Sequence, residues 1–262
     1  MLDARLMSDK WILRFGAVPD PAPGASLFCL PFGGGTAAVF RRWPALLAPA
    51  IDVLPVQFPG RGTRLAEAPR TRLTDLAREL AGAIAPRLSD RYALFGYSLG
   101  ALVAFEVARE LRRRAAPPPC HLLVCARRAP SLREDEAPVH ALPEVSFVEQ
   151  VWRRYEAIPP EVAGEPDLMR LLLPALRADF EMLETYEYTS EEPLDCPITA
   201  MGGMDDARAS DDDLEAWGQE TRQRLTVRRF AGGHFFFRSC EEQIVGLVRT
   251  QLEETPVPAG GR

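Results

Sequence analysis

Lysine is all but missing from this chain: of 31 Lys and Arg residues only Lys10 is lysine. Together with abundant Ala and Pro, this reads as the coding bias of a GC-rich bacterial genome and says little about mechanism. A basic surplus is missing too, since 37 Asp and Glu leave a formal net charge of -6, which argues against a nucleic-acid binder. Cysteine is sparse and odd in number, and Cys29, Cys120, Cys125, Cys196 and Cys240 form no C-x-x-C pair. Three of them lie in or beside apolar runs, where a free thiol packs as a small hydrophobe. A disulfide framework is therefore not expected, and a reducing cytoplasm is. No stretch approaches the ~18 uninterrupted apolar residues of a membrane span, and the opening MLDARLMSDK holds no apolar core of a secretory signal. No His or Cys cluster has metal-ligand spacing, so neither metal nor cofactor is expected.

What is present suits one soluble domain: 262 residues, 47% hydrophobic and 26% charged. Short apolar runs at 26–30, 51–56, 92–95, 121–126, 197–201 and 225–230 alternate with helical patterns at about 73–88, 99–114, 211–223 and 240–253. That alternation predicts an α/β fold, a mostly parallel sheet flanked by helices. The spacing breaks once, where about seventy residues separate Ala126 from Cys196, far too many for one crossover helix. A charged loop at 127–136 comes first, then amphipathic patterns at 144–158 and 167–186, the second with Pro174 expected to kink or split it. The prediction is a single domain over 1–262 with a helical lid inserted at about 127–190, and a fraying tail at 256–262.

Gly96-Tyr97-Ser98-Leu99-Gly100 follows the third apolar run and opens a helix. This is the strand–turn–helix setting in which G-x-S-x-G forms a nucleophile elbow, and it points to an α/β-hydrolase fold with Ser98 as nucleophile. A Cβ on either flanking glycine would collide with the neighbouring strand or helix. The helix start aims N–H groups and positive dipole at the serine, where an oxyanion would form.

A serine hydroxyl at neutral pH needs a base, and the chain has only three histidines. His121 opens a strand and falls at the wrong end of the sheet, while His140 reads as a solvated surface residue in the entry loop of the insertion. His234 follows the last strand and belongs at the carboxyl rim with Ser98, so it is the base by position. The third group is a carboxylate lying between them in the chain. Asp205 and Asp206, just after the fifth strand, fit equally well; Asp211, Asp212 and Asp213 suit a helix start, and Asp135 is a distant rival. The glycine-rich turn Leu30-Pro31-Phe32-Gly33-Gly34-Gly35-Thr36 lets backbone amides reach a reacting oxygen, and the amides of Phe32 and Leu99 are the expected oxyanion donors. No Gly-Lys-Ser/Thr follows, so this is not a phosphate loop.

These segments resemble the type II thioesterases of polyketide and nonribosomal peptide synthesis, nearly from end to end. Besides the first loop, Gln57-Phe58-Pro59-Gly60-Arg61-Gly62-Thr63-Arg64 resembles a second signature that ordinary esterases lack. Leu173-Pro174-Ala175-Leu176-Arg177-Ala178-Asp179-Phe180 resembles a motif of the lid, and Gly232-Gly233-His234-Phe235 resembles the histidine loop. The resemblance implies Asp206 as the catalytic acid. It departs at Tyr97, where histidine is common, and at Ala207, where proline is frequent. It further implies hydrolysis of stalled or aberrant acyl groups from an acyl-carrier or peptidyl-carrier protein bearing a phosphopantetheine arm, through an acyl-Ser98 intermediate. A monomer is expected, with no nucleic-acid or membrane partner. Docking on an acidic carrier would need a local basic patch, for which Arg112, Arg113, Arg114, Arg127 and Arg128 are candidates against a plain solvated face. Rival readings are a general carboxylesterase or lipase, a chain-releasing thioesterase, and a hydrolase-fold receptor without catalysis.

Overall fold

All six apolar runs become strands: β1 (Ala25–Leu30), β2 (Ile51–Pro55), β3 (Tyr92–Tyr97), β4 (His121–Cys125), β5 (Ile198–Gly203) and β6 (Leu225–Phe230). In the computed structural model, which describes residues 10–16, 23–133, 136–155 and 165–254, they form one sheet in the order β2-β1-β3-β4-β5-β6. Every pairing between these strands is parallel. β1, β3, β4 and β5 are buried along their whole length, as strands covered on both faces must be. The period of two sorts their side chains. Phe28, Leu94, Leu122 and Ala200 enter one core with Leu76 and Leu102. Leu27, Phe95, Leu123 and Met201 enter the other with Trp43 and Ile244.

The helices are α1 (Trp43–Leu47), α2 (Leu73–Ile84), α3 (Leu99–Arg113), α4 (Glu144–Tyr155), α5 (Pro166–Glu184), α6 (Asp211–Glu215) and α7 (Phe237–Glu254). Three differ from expectation. α5 runs through Pro174 unsplit. Pro174 is exposed, so the carbonyl it leaves without an amide partner can be hydrated, while Leu173, Leu176 and Phe180 bury their side chains against α4. α6 is short and gives way to a 3-10 turn at Ala216–Glu220, where Gly218 weakens α-helix. α7 starts earlier than predicted, at Phe237, and has a non-helical residue, Cys240 (φ -113°, ψ 18°). The predicted helix at 144–158 ends within the described residues at Tyr155, its last turn lying outside them.

The strand order reverses between β1 and β3, since the chain leaves β1 toward β2 on one side and returns to β3 on the other. Crevices in open parallel sheets form at such a switch point, outside the carboxyl ends of the strands. The loop after β1 and Ser98 after β3 both lie at that edge.

At the opposite edge His121 opens β4, buried, with Nε2 2.8 Å from the Thr199 hydroxyl. Burial holds its pKa down at about 4 against an ordinary 6.5. Between those values the unfolded chain binds a proton that the folded chain refuses, so stability falls as pH drops through this window, by roughly 3 kcal/mol in full. Urea unfolding of His121→Gln at pH 7, 5.5 and 4 should show a shallower loss than the wild-type protein. Equal slopes would remove His121 from the acid sensitivity.

Candidate active site

Ser98 sits at φ 53°, ψ -113°, a left-handed conformation rare for a residue with a side chain. Such a conformation costs about 1–3 kcal/mol and persists only where the surroundings over-determine it. Here they do. The Ser98 amide donates to the carbonyl of Cys125 at the end of β4, at 2.7 Å, and its carbonyl accepts from Ala101 at 3.0 Å. A Cβ on Gly96 would lie 2.2 Å from the Gly100 oxygen, and one on Gly100 would lie 2.3 Å from the Leu30 oxygen. The expected collisions are thus with the first turn of α3 and with the end of β1.

His234 Nε2 lies 3.0 Å from Ser98 Oγ, and His234 Nδ1 lies 2.9 Å from Asp206 Oδ2. Two loops are laid side by side to achieve this. Met204 N–H donates to the Phe230 carbonyl at 2.7 Å and Asp205 N–H to the Gly232 carbonyl at 3.0 Å. A Cβ on Gly203 would come within 2.4 Å of both the Gly232 and Gly233 oxygens, so only glycine permits the contact. Asp206 is buried, and its Oδ1 accepts from the Arg208 amide at 3.0 Å, leaving Oδ2 to the imidazole. Asp205 is exposed. The structure therefore brings Asp206, not Asp205, to His234; Asp135 lies outside the described residues. Ser210 caps α6 in reciprocal bonds with Asp213, while Asp211 and Asp212 occupy its first turn, so the cap itself is the serine.

The turn after β1 closes with the Gly35 amide donating to the Phe32 carbonyl at 2.9 Å. Among the described residues, no acceptor is bonded to the N–H of Phe32 or of Leu99. Each lies within two residues of the tight contact between β1 and α3. Tyr97 ties the surrounding loops together. Its hydroxyl donates to the His234 carbonyl at 2.5 Å and accepts from the Phe237 amide at 3.4 Å. Its ring meets Phe32 edge-on at 5.9 Å and stacks parallel to Phe235 at 6.4 Å. Burial pushes the phenol well above its usual pKa, so it stays a donor.

Sequence reasoning left several neighbours without a role. Arg61 forms a bidentate pair with Asp179 at 2.5 and 2.7 Å, and Asp179 Oδ2 also accepts from the Gly34 amide at 2.6 Å. Three of the four motif segments noted for their resemblance meet here. Tyr155 of α4 stands edge-on to the His234 ring at 5.2 Å, with the Arg208 guanidinium 4.3 Å over its own ring. Glu136 pairs with Arg208 at 2.9 Å and Arg154 at 3.1 Å, so α4 is bound to the loop carrying Asp206.

One expectation needs correcting, and one pair of alternatives narrows. His140 is not a free surface residue: its Nδ1 lies 2.6 Å from Glu184, whose carboxylate also accepts from the amides of Val139 and His140. Nor do the arginines form an open basic patch. Arg112 pairs with Glu191 at 2.8 Å, Arg113 with Glu110 at 3.1 Å and with Glu191, and Arg114 with Glu110 at 3.2 Å. Arg127 is buried and Arg128 lies 3.5 Å from Asp213. The first three close α3, about 20 Å from the serine that opens it. Acidic neighbours from segment 186–193 and from α3 itself offset their charge, which favours the plain charged face over the docking patch.

Among the described residues, no three His, Cys, Asp or Glu side chains are grouped to hold a metal, and no helix is long and apolar enough to cross a membrane. All five cysteines are buried, and burial raises the Cys29 and Cys125 thiols well above their usual pKa, which leaves them unreactive.

A family model described as a thioesterase domain matches residues 25–252. The gramicidin S biosynthesis protein GrsT of Aneurinibacillus migulanus is 35% identical over 250 residues, 95% of this chain and 96% of that protein. RedJ, a thioesterase of the prodiginine pathway of Streptomyces coelicolor, superimposes with a TM-score of 0.83 at 38% identity, covering 91% of this chain and 90% of that one. The type II thioesterase BorB of the borrelidin cluster gives 0.85 at 37% identity, covering 94% and 98%. The chain therefore belongs to the thioesterase family, on the type II branch that its motifs anticipate.

Proposed function

We propose that this protein hydrolyses acyl thioesters from the phosphopantetheine arm of an acyl- or peptidyl-carrier protein, clearing stalled or wrong acyl units from a polyketide or nonribosomal peptide assembly line. The observation that carries this reading is the unbroken line from Asp206 Oδ2 through His234 to Ser98 Oγ at the carboxyl rim of the sheet. Ser98 attacks the thioester carbonyl while His234 Nε2 takes its proton, and Asp206 holds the Nδ1–H tautomer and steadies the imidazolium. The Phe32 and Leu99 amides, unclaimed inside the fold, receive the charge on the tetrahedral oxygen. As the C–S bond breaks, the proton on His234 passes to the departing thiolate. Water then enters, gives its proton to His234, and splits the acyl-serine into free acid and restored enzyme.

Residues 1–262 act as one domain on this reading, with the insertion at about 127–190 as its lid. Contacts of Tyr155 with His234 and of Arg154 with Glu136 support α4 as the cover over the imidazole. The protein works as a cytoplasmic monomer, without nucleic acid, and the carrier approaches the rim rather than the arginine-rich end of α3.

Ser98→Ala should abolish both fluorophosphonate labelling and turnover of acyl-N-acetylcysteamine. Asp206→Asn should lower kcat by about 10⁴, whereas Asp205→Asn should leave it nearly unchanged; similar losses in both aspartate variants would reject the assignment. Wild-type protein should prefer a thioester to the matched oxygen ester, and the reverse preference would favour a general esterase. Tyr97→Phe should lower kcat with little change in KM and cost about 1 kcal/mol of stability, read by steady-state kinetics and thermal unfolding.

A further inference from the structure

Among the described residues, Arg61 and Asp179 form the most deeply buried ion pair, at 3% and 0% side-chain exposure. Neither belongs to the line from Asp206 to Ser98, yet they sit against the loop that supplies one of its proposed oxyanion donors. Asp179 arrives from α5, Arg61 from the turn after β2, and Gly34 from the turn after β1. The contact is close: a Cβ on Gly33 would lie 3.6 Å from that of Asp179, and one on Gly34 would lie 3.1 Å from Leu176. Gly34 takes φ +76°, a geometry that its N–H···Oδ2 bond of 2.6 Å holds in place. The far end of the same turn is held by the second motif as well, because the Ala37 amide donates to Gln57 Oε1 at 3.2 Å. Gln57 in turn donates to the Arg61 carbonyl, also at 3.2 Å.

Stability alone is a poor reason to keep such a pair. Taking two charges out of water costs several kcal/mol each, and well-packed apolar residues often replace buried ion pairs at no loss. What an apolar pair could not do is grip a backbone N–H. We infer that Asp179 is a positioning residue: locked by Arg61, its carboxylate fixes Gly34 and thereby aims the Phe32 N–H at the developing oxyanion. This inference rests on the acyl-serine reading above. It makes the donor geometry depend on the seating of α5, so the inserted helix completes the site besides covering it.

The test compares wild type, Asp179→Asn and the apolar double variant Arg61→Met/Asp179→Leu. Three quantities are read: kcat and KM on acyl-N-acetylcysteamine, affinity for a trifluoromethyl ketone matched to the acyl group, and thermal stability. Ser98 adds to that ketone to form a hemiketal whose oxyanion needs the same donors, while His234 keeps the proton. The double variant should stay folded near the wild-type melting temperature while kcat falls about 10²-fold. Ketone affinity should fall by the same factor, and KM should change little. A folded double variant that keeps wild-type kcat and ketone affinity overturns the positioning role. Should the double variant fail to fold, Asp179→Asn decides. It keeps an oxygen for Gly34 but gives Arg61 a weaker hold, so it should show a smaller fall in kcat and ketone affinity together; a fall in stability with neither would overturn the inference. Wild-type protein inert to both the thioester and a fluorophosphonate would defeat the hydrolase reading itself, a result distinct from either.

Discussion

Close approach of backbone to backbone is the constraint on which the whole site depends. The carbonyls of Leu30 and Pro31 press on Gly100, the Gly100 carbonyl presses on Gly96, and the carbonyls of Gly232 and Gly233 press on Gly203. With no side chains between them, the end of β1, the start of α3 and the two loops after β5 and β6 meet within hydrogen-bonding reach. Ser98 is held at positive φ by this packing, and its strain is the consequence of a turn that has no room to relax. A side chain at any of the three glycines would separate the parts by more than the 3 Å hydrogen bonds between them can stretch.

Around that contact several arginines hold a carboxylate through two nitrogens. Arg61 grips Asp179 through two nitrogens, Arg64 grips Glu67 in the same way, and Arg14 does so with Asp52. A planar fork can make two parallel bonds to a carboxylate, which a lysine ammonium cannot, and each such pair fixes orientation as well as distance. The scarcity of lysine reads as coding bias in the sequence, yet in the folded chain it leaves arginine at the pairs where two parallel bonds fix orientation. Glu136 between Arg154 and Arg208 ties α4 to the loop that carries Asp206, while Glu184 beneath the amides of Val139 and His140 braces the insertion on itself.

Much of the fold was legible because apolar runs buried on both faces leave a plain mark: six were predicted as strands and six strands pair in parallel. Helix ends were less so. α7 begins three residues before its periodic part, and α5 tolerates Pro174, because packing against neighbours overrides local propensity. Within the site, Ser98 and His234 followed from motif and elimination. The choice between Asp205 and Asp206 did not, since adjacent residues differ in sequence only by one step but point to opposite sides of a turn. The bonds of the Asp205 amide to Gly232 and of the Arg208 amide to Asp206 Oδ1 hold the turn with one carboxylate out and the other in.

By itself the sequence determined the strand-and-helix alternation, the elbow, the candidate base and the position of a long insertion, all of which are written in local pattern. Tertiary structure alone decided that Arg61, Asp179 and Gly34 meet, that Tyr97 holds the His234 carbonyl, and that the arginines ending α3 are neutralised by Glu110 and Glu191. The physical reason is separation along the chain. A hydrogen bond between residues 145 positions apart leaves no periodicity to read, because its partners are brought together only by the sheet that lies between them.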